Sequence, residues 1–121
     1  MGGVSLPNFT APDGGRIFYE DQGSGRPLLL LHGFMAHRGF FRFQEPLAER
    51  FRLIAPDLRA HGESRDVRGA VTVEQMAGDV AALVEALGLR DAIGIGWSLG
   101  AAVLWHVLSS PSGSRFAGSV I

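Results

Sequence analysis

Gly96-Trp97-Ser98-Leu99-Gly100 is the stretch on which the reading of this chain turns. The residues before it, Asp91 to Gly96, read as a short apolar strand, and those after it, Ser98 to Leu108, as a helix. The five residues match G-x-S-x-G and form the bend between the two. A serine held at such a bend sits in a strained backbone conformation with its hydroxyl projecting from the sheet, and the flanking glycines let neighbouring chains come close. Ser98 also lies at a helix N-terminus, where free N–H groups stabilise developing negative charge. Serine is equally a good helix N-cap, and the five residues alone do not separate a cap from a nucleophile. A dinucleotide loop is a poorer reading of Gly94-Ile95-Gly96. The third glycine of that pattern would fall on Leu99, and no acidic residue follows at about 20 residues.

Working outward, Pro27 to Leu31 and Phe51 to Ala55 are continuous apolar runs, as expected of strands buried on both faces. Ser5 to Ala11 and Arg16 to Glu20 flank the turn residues Pro12-Asp13-Gly14-Gly15, which suggests a hairpin at a sheet edge. Gln22 to Gly25 is a second turn and Pro56 to Arg68 a polar loop. Arg38 to Arg50 has helical character broken by Pro46, which fits best at the start of a new helical piece. Val73 to Leu87 is the clearest helix. Val73, Met76, Val80, Leu83, Val84 and Leu87 share one face, Thr72 and Gln75 form a capping box, and Gly88 ends it. Phe116 to Ile121 is a last strand. Strands alternating with helices predict an α/β fold: a mostly parallel sheet with helices on both faces and an antiparallel hairpin at its N-terminal edge. The length of 121 residues fits a single domain. Ligands of such sheets bind beyond the carboxyl ends of the strands. Those ends carry His32-Gly33-Phe34, Asp57-Leu58-Arg59 and Gly96-Trp97-Ser98.

Composition narrows the function. The chain has 46% hydrophobic and 19% charged residues, which is globular rather than disordered, and a net charge of −1 gives no attraction for nucleic acid or an anionic membrane. There is no cysteine, hence no disulfide or thiolate metal site, and no lysine for a Schiff base. No targeting segment is legible at the start, and the apolar stretch Leu99 to Leu108 is far short of the roughly 20 residues that span a bilayer. A cytoplasmic location is expected.

Acyl transfer needs two N–H donors aimed at the developing oxyanion. Leu99, directly after the serine, would supply one. Phe34, in the loop after the first buried strand, would supply the other, with Gly33 giving the backbone room to turn inward. Phe34, Met35, Trp97 and Leu99 would line an apolar substrate pocket.

Taken in order, Leu28 to Phe34, Phe51 to Ser64 and Gly96 to Gly100 resemble the α/β-hydrolase fold-1 family, which includes esterases, carbon–carbon bond hydrolases and cofactor-free haloperoxidases or perhydrolases. The resemblance covers nearly the whole chain. Ala60 and Ala101 stand where glycines are common there, and Phe41 where a tryptophan is frequent. The family's epoxide hydrolases and dehalogenases use an aspartate nucleophile, and Ser98 argues against both. The resemblance implies a serine hydrolase acting on an ester or similar carbonyl of a small apolar substrate. Ser98 would be the nucleophile and the Leu99 and Phe34 N–H groups the oxyanion donors, with no cofactor and no metal.

The family's triad continues from the serine to an acid and then a histidine. After Ser98 this sequence has no Asp or Glu, and its only later histidine, His106, lies two helical turns further on, out of reach of the roughly 3 Å a base requires. His32 is expected to stay with its strand end, His37 at the surface and His61 in a structural loop, with Asp57 bonding nearby backbone. The resemblance therefore implies the N-terminal part of such a hydrolase, without lid, acid and histidine. Two expectations follow. The final strand would be an exposed edge inviting association, leaving the isolated chain marginally stable or aggregating. The competing function is a catalytically inactive fragment, pseudoenzyme or interaction module.

Overall fold

The computed structural model describes residues 6–121, so Ser5, at the start of the first expected strand, lies outside the described residues. The strands are β1 (Asn8–Thr10), β2 (Arg16–Gly23), β3 (Arg26–Leu31), β4 (Phe51–Pro56), β5 (Ala92–Gly96) and β6 (Phe116–Val120), with helices α1 (Val73–Ala86) and α2 (Leu99–Leu108). They form a six-stranded sheet in the order β1-β2-β4-β3-β5-β6. β1 pairs antiparallel with β2, and β2 antiparallel with β4, whereas β3–β4, β3–β5 and β5–β6 are parallel. The expected α/β sheet with an antiparallel hairpin at its N-terminal edge is the one observed. β2 runs three residues past the expected Glu20 because Tyr19 to Gly23 also pair with β4.

Alternation along the strands divides the core in two. Leu29 and Leu31 of β3 and Ile54 of β4 face α1 and α2, together with Val80, Leu83, Val84, Val103, Leu104 and Val107. Leu28 and Leu30 point the other way, with Leu53, Ala55 and Phe41. That second face is covered by residues Arg38–Glu49, which wind as a 3-10 helix rather than an α-helix, with Pro46 inside. Proline has no N–H to donate, and the tighter winding suits its fixed φ. A second 3-10 turn, Pro111–Arg115, was not legible beforehand; Ser110 caps it by accepting from the Ser112 N–H at 3.2 Å.

Thr72 caps α1 by accepting from the Gln75 N–H at 3.1 Å. The long loop before α1 is fastened by Arg59, a buried side chain that pairs through two nitrogens with Asp79 of α1, both at 2.8 Å. Arg59 also reaches Asp13 in the β1–β2 turn at 2.6 Å and bonds the Arg68 carbonyl. These carboxylates hold the guanidinium firmly in its charged form, with Asp79 contributing most. No helix among the described residues is long and apolar enough to cross a membrane.

Candidate functional site

The loops that follow β3, β4 and β5 meet at the carboxyl edge of the sheet. Ser98 stands at the bend from β5 into α2 with φ 55 and ψ −115. A positive φ costs a residue with a Cβ of order 1–3 kcal/mol and persists only where the surroundings dictate it. Here they do. The Trp97 N–H donates to the Leu31 carbonyl at 3.1 Å, tying the bend to the end of β3. Gly100 packs so closely on the Leu31 and His32 carbonyls that a Cβ would collide with them. The Trp97 ring fills the space that a side chain on Gly33 would need. Bend and strand end are thus interlocked at two points where one partner is bare backbone.

Ser98 occupies the position before the first residue of α2, yet its hydroxyl makes no capping bond. The cap reading, open from sequence, is thereby set aside. The Ser98 side chain is exposed at the sheet edge. Leu99 opens α2, where an N–H has no partner within the helix. Among the described residues neither the Leu99 nor the Phe34 N–H finds an acceptor.

Phe34 and Met35 form the tip of a turn closed by the Ala36 N–H donating to the Gly33 carbonyl at 3.1 Å, with Met35 at φ 62. Both side chains are exposed, Phe34 at 69% and Met35 at 82%. Trp97, half exposed, stacks flat on Phe40, with ring centroids 4.6 Å apart and planes 13° apart. Met35 stands between two open grooves. One, of about 700 Å³, runs along Phe40 and Phe43; the other, of about 420 Å³, along Phe34, His61 and Val71.

The histidines fall as the sequence suggested. His37 is exposed and caps the 3-10 helix by accepting from the Gly39 N–H at 3.0 Å. His61 donates from Nδ1 to the Arg59 carbonyl at 2.9 Å, and its ring lies 5.1 Å from that of His32. His32 is fully buried, and burial holds its imidazole below the ordinary histidine range. His106 is exposed on α2. No histidine or carboxylate among the described residues hydrogen-bonds the Ser98 hydroxyl. Asp57 bonds backbone: it accepts from the Arg38 N–H at 2.7 Å and the Glu63 N–H at 2.9 Å, and it pairs with the Arg38 guanidinium.

A family model described as alpha/beta hydrolase fold matches residues 26–120. The chain belongs to that family. Like other α/β hydrolases it has recognisable relatives. It is 37% identical over 118 residues to a non-heme haloperoxidase of Rhodococcus erythropolis, covering 96% of this chain and 43% of that protein. Among solved structures, an esterase of Exiguobacterium antarcticum superposes with a TM-score of 0.89 at 29% identity, covering 95% of this chain and 44% of the esterase. A thermophilic esterase of Thermogutta terrifontis gives 0.84 at 37% identity, covering 96% and 44%. The chain therefore spans under half the length of these α/β hydrolases.

Sequence reasoning missed Phe40 and Arg59. Phe40 lay in a segment read as helix, where the neighbouring Phe41 is the core residue. Only the three-dimensional approach of β5 brings Trp97 onto it. Arg59 read as part of a polar loop; the one available signal was Asp79, an acidic residue on the apolar face of α1.

Proposed function

We propose that this chain carries the nucleophile and oxyanion donors of a serine hydrolase acting on an ester, or a similar carbonyl, of a small apolar substrate. The observation that carries the reading is the Ser98 backbone at φ 55 and ψ −115, with an exposed hydroxyl that caps nothing. Holding a serine there costs stability, and helix capping does not repay it. In the proposed reaction the Ser98 oxygen attacks the carbonyl carbon while its proton passes to a general base. The carbonyl oxygen takes up the negative charge between the Leu99 and Phe34 N–H groups, and collapse of the adduct expels the alcohol to leave an acyl-serine. Water then releases the acid. The exposed faces of Phe34, Met35 and Trp97 favour an apolar acyl group.

The base does not come from the histidines described above. The esterases and the haloperoxidase that this chain resembles are more than twice its length, and we place the base and its supporting acid in the part that they have in addition. The likeness to a non-heme haloperoxidase favours a second outcome on the same site, in which hydrogen peroxide rather than water attacks the acyl-serine and a peracid leaves.

An aryl phosphonate ester tests the reading. Ser98 displaces the aryl group, and the adduct adds a fixed mass to a single residue. Slow, stoichiometric labelling at Ser98 is expected, with none in Ser98→Ala. An unlabelled chain would favour the inert fragment or interaction module instead.

A further inference from the structure

His32 is fully buried, a strand's end away from Ser98, and the reaction proposed above gives it no task. Its two ring nitrogens are both committed. Nδ1 lies 2.8 Å from the Gly33 carbonyl, which can only accept, so Nδ1 carries the hydrogen. Nε2 lies 2.9 Å from the Leu58 N–H, which can only donate, so Nε2 is bare. The ring is neutral and fixed in one tautomer, and it bridges the loop after β3 to the loop after β4.

Gly33 gives that bridge its consequence. Its carbonyl accepts from the His32 ring and from the Ala36 N–H at 3.1 Å. A trans peptide is planar, with C=O and the following N–H pointing opposite ways. Fixing the Gly33 carbonyl therefore fixes the direction of the Phe34 N–H, which points away from the His32 ring and meets no acceptor among the described residues. The far end of the same loop is pinned too, where the Arg38 N–H donates to Asp57 at 2.7 Å. Leu58 and Asp57 are adjacent, so one short stretch of the β4 loop braces the Phe34 loop at both ends.

We infer that His32 is a positioning residue that holds the Gly33–Phe34 peptide so that the Phe34 N–H is presented to the substrate oxygen at Ser98. This rests on the proposed role of Ser98. The two hydrogen bonds of the ring have different duties. The Nδ1–H bond aims the peptide; the Nε2 bond only anchors the ring.

Two amide variants separate those duties. Asparagine places an N–H near the position of Nδ1 but cannot reach the Leu58 N–H. Glutamine reaches the Leu58 N–H but offers no donor at the Nδ1 position. The rate of phosphonate labelling at Ser98 is measured for the unaltered chain, His32→Asn and His32→Gln, with Thr72→Ala as a variant that removes the α1 cap and leaves the His32 bonds in place. His32→Gln is expected to label about tenfold or more slowly, since losing one oxyanion donor outright costs about 10²–10³. His32→Asn should stay within about threefold of the unaltered chain, and Thr72→Ala should be unchanged. Equal rates in both His32 variants, or losses that merely follow their melting temperatures, would overturn the role of His32 and leave that of Ser98 standing. No labelling of the unaltered chain would sink Ser98 as nucleophile and this inference with it. Nitrogen-15 spectra of the unaltered protein give a check free of variants. The His32 ring should be neutral with Nδ1 protonated at about pH 7; a proton on Nε2 would overturn the inference.

Discussion

Gly100 shows how a single residue can decide the site. Its Cα rests on the Leu31 and His32 carbonyls, so Gly100→Ala drives a methyl group into backbone that cannot yield like a side chain. Overpacking of this kind costs about 1–3 kcal/mol or more, and a urea titration should show it as a lower midpoint with an unchanged slope. Gly33→Ala meets the flat Trp97 ring instead, which can tilt off Phe40. It should cost less stability but disturb the aromatic wall. His32 adds a pH dependence. Burial holds its folded value below the ordinary 6.5. As pH falls through about 6.5 the unfolded chain takes up a proton that the folded chain refuses, so stability drops. The contribution is whole above that pH and is lost on acidification toward the folded value. Urea midpoints between about pH 7.5 and about pH 5.5 should fall more steeply for the unaltered chain than for His32→Asn. At this scale Ser98, Leu99 and Phe34 could be picked out from the sequence because their role depends on position along a strand–turn–helix path. Phe40 could not, because its contact with Trp97 joins residues far apart in the chain.

The elements differ in how openly the sequence announces them. α1 is legible because its apolar positions recur at helical spacing behind a threonine cap; Thr72→Ala should lower stability by about 1 kcal/mol by leaving the Gln75 N–H without its acceptor. Arg38–Glu49 has apolar residues at spacings that suit a helix, but its proline and its short reach across β3 and β4 settle it as 3-10 turns. The β4–α1 loop is the least legible element, because its order comes from Arg59. That guanidinium is 1% exposed and its Asp79 partner 3%. Asp79→Asn removes the buried carboxylate but leaves Arg59 its bonds to Asp13 and the Arg68 carbonyl, so it should cost about 1–3 kcal/mol. The loss should appear as earlier proteolysis within residues 57–72 as well as a lower melting temperature.

For the whole molecule, the mostly parallel sheet with two covered faces follows from strand–helix alternation, whereas the strand order β1-β2-β4-β3-β5-β6 is legible only in the structure. β6 is the least protected part. It pairs with β5 alone, and four of its five residues are exposed. A strand with one free edge recruits others, so the 121-residue chain should sediment as concentration-dependent oligomers. A sharp, reversible, monomeric melt would contradict this. At the opposite end of the sheet β1 is only three residues long, too short to template much pairing. The stacked indole of Trp97 has a practical corollary. It borders the proposed acyl pocket and is half open to solvent, and the chain's other tryptophan, Trp105, is exposed on α2. With Trp105 replaced by phenylalanine, emission from a single indole becomes a built-in gauge of occupancy, blue-shifting as an apolar guest displaces water from the ring.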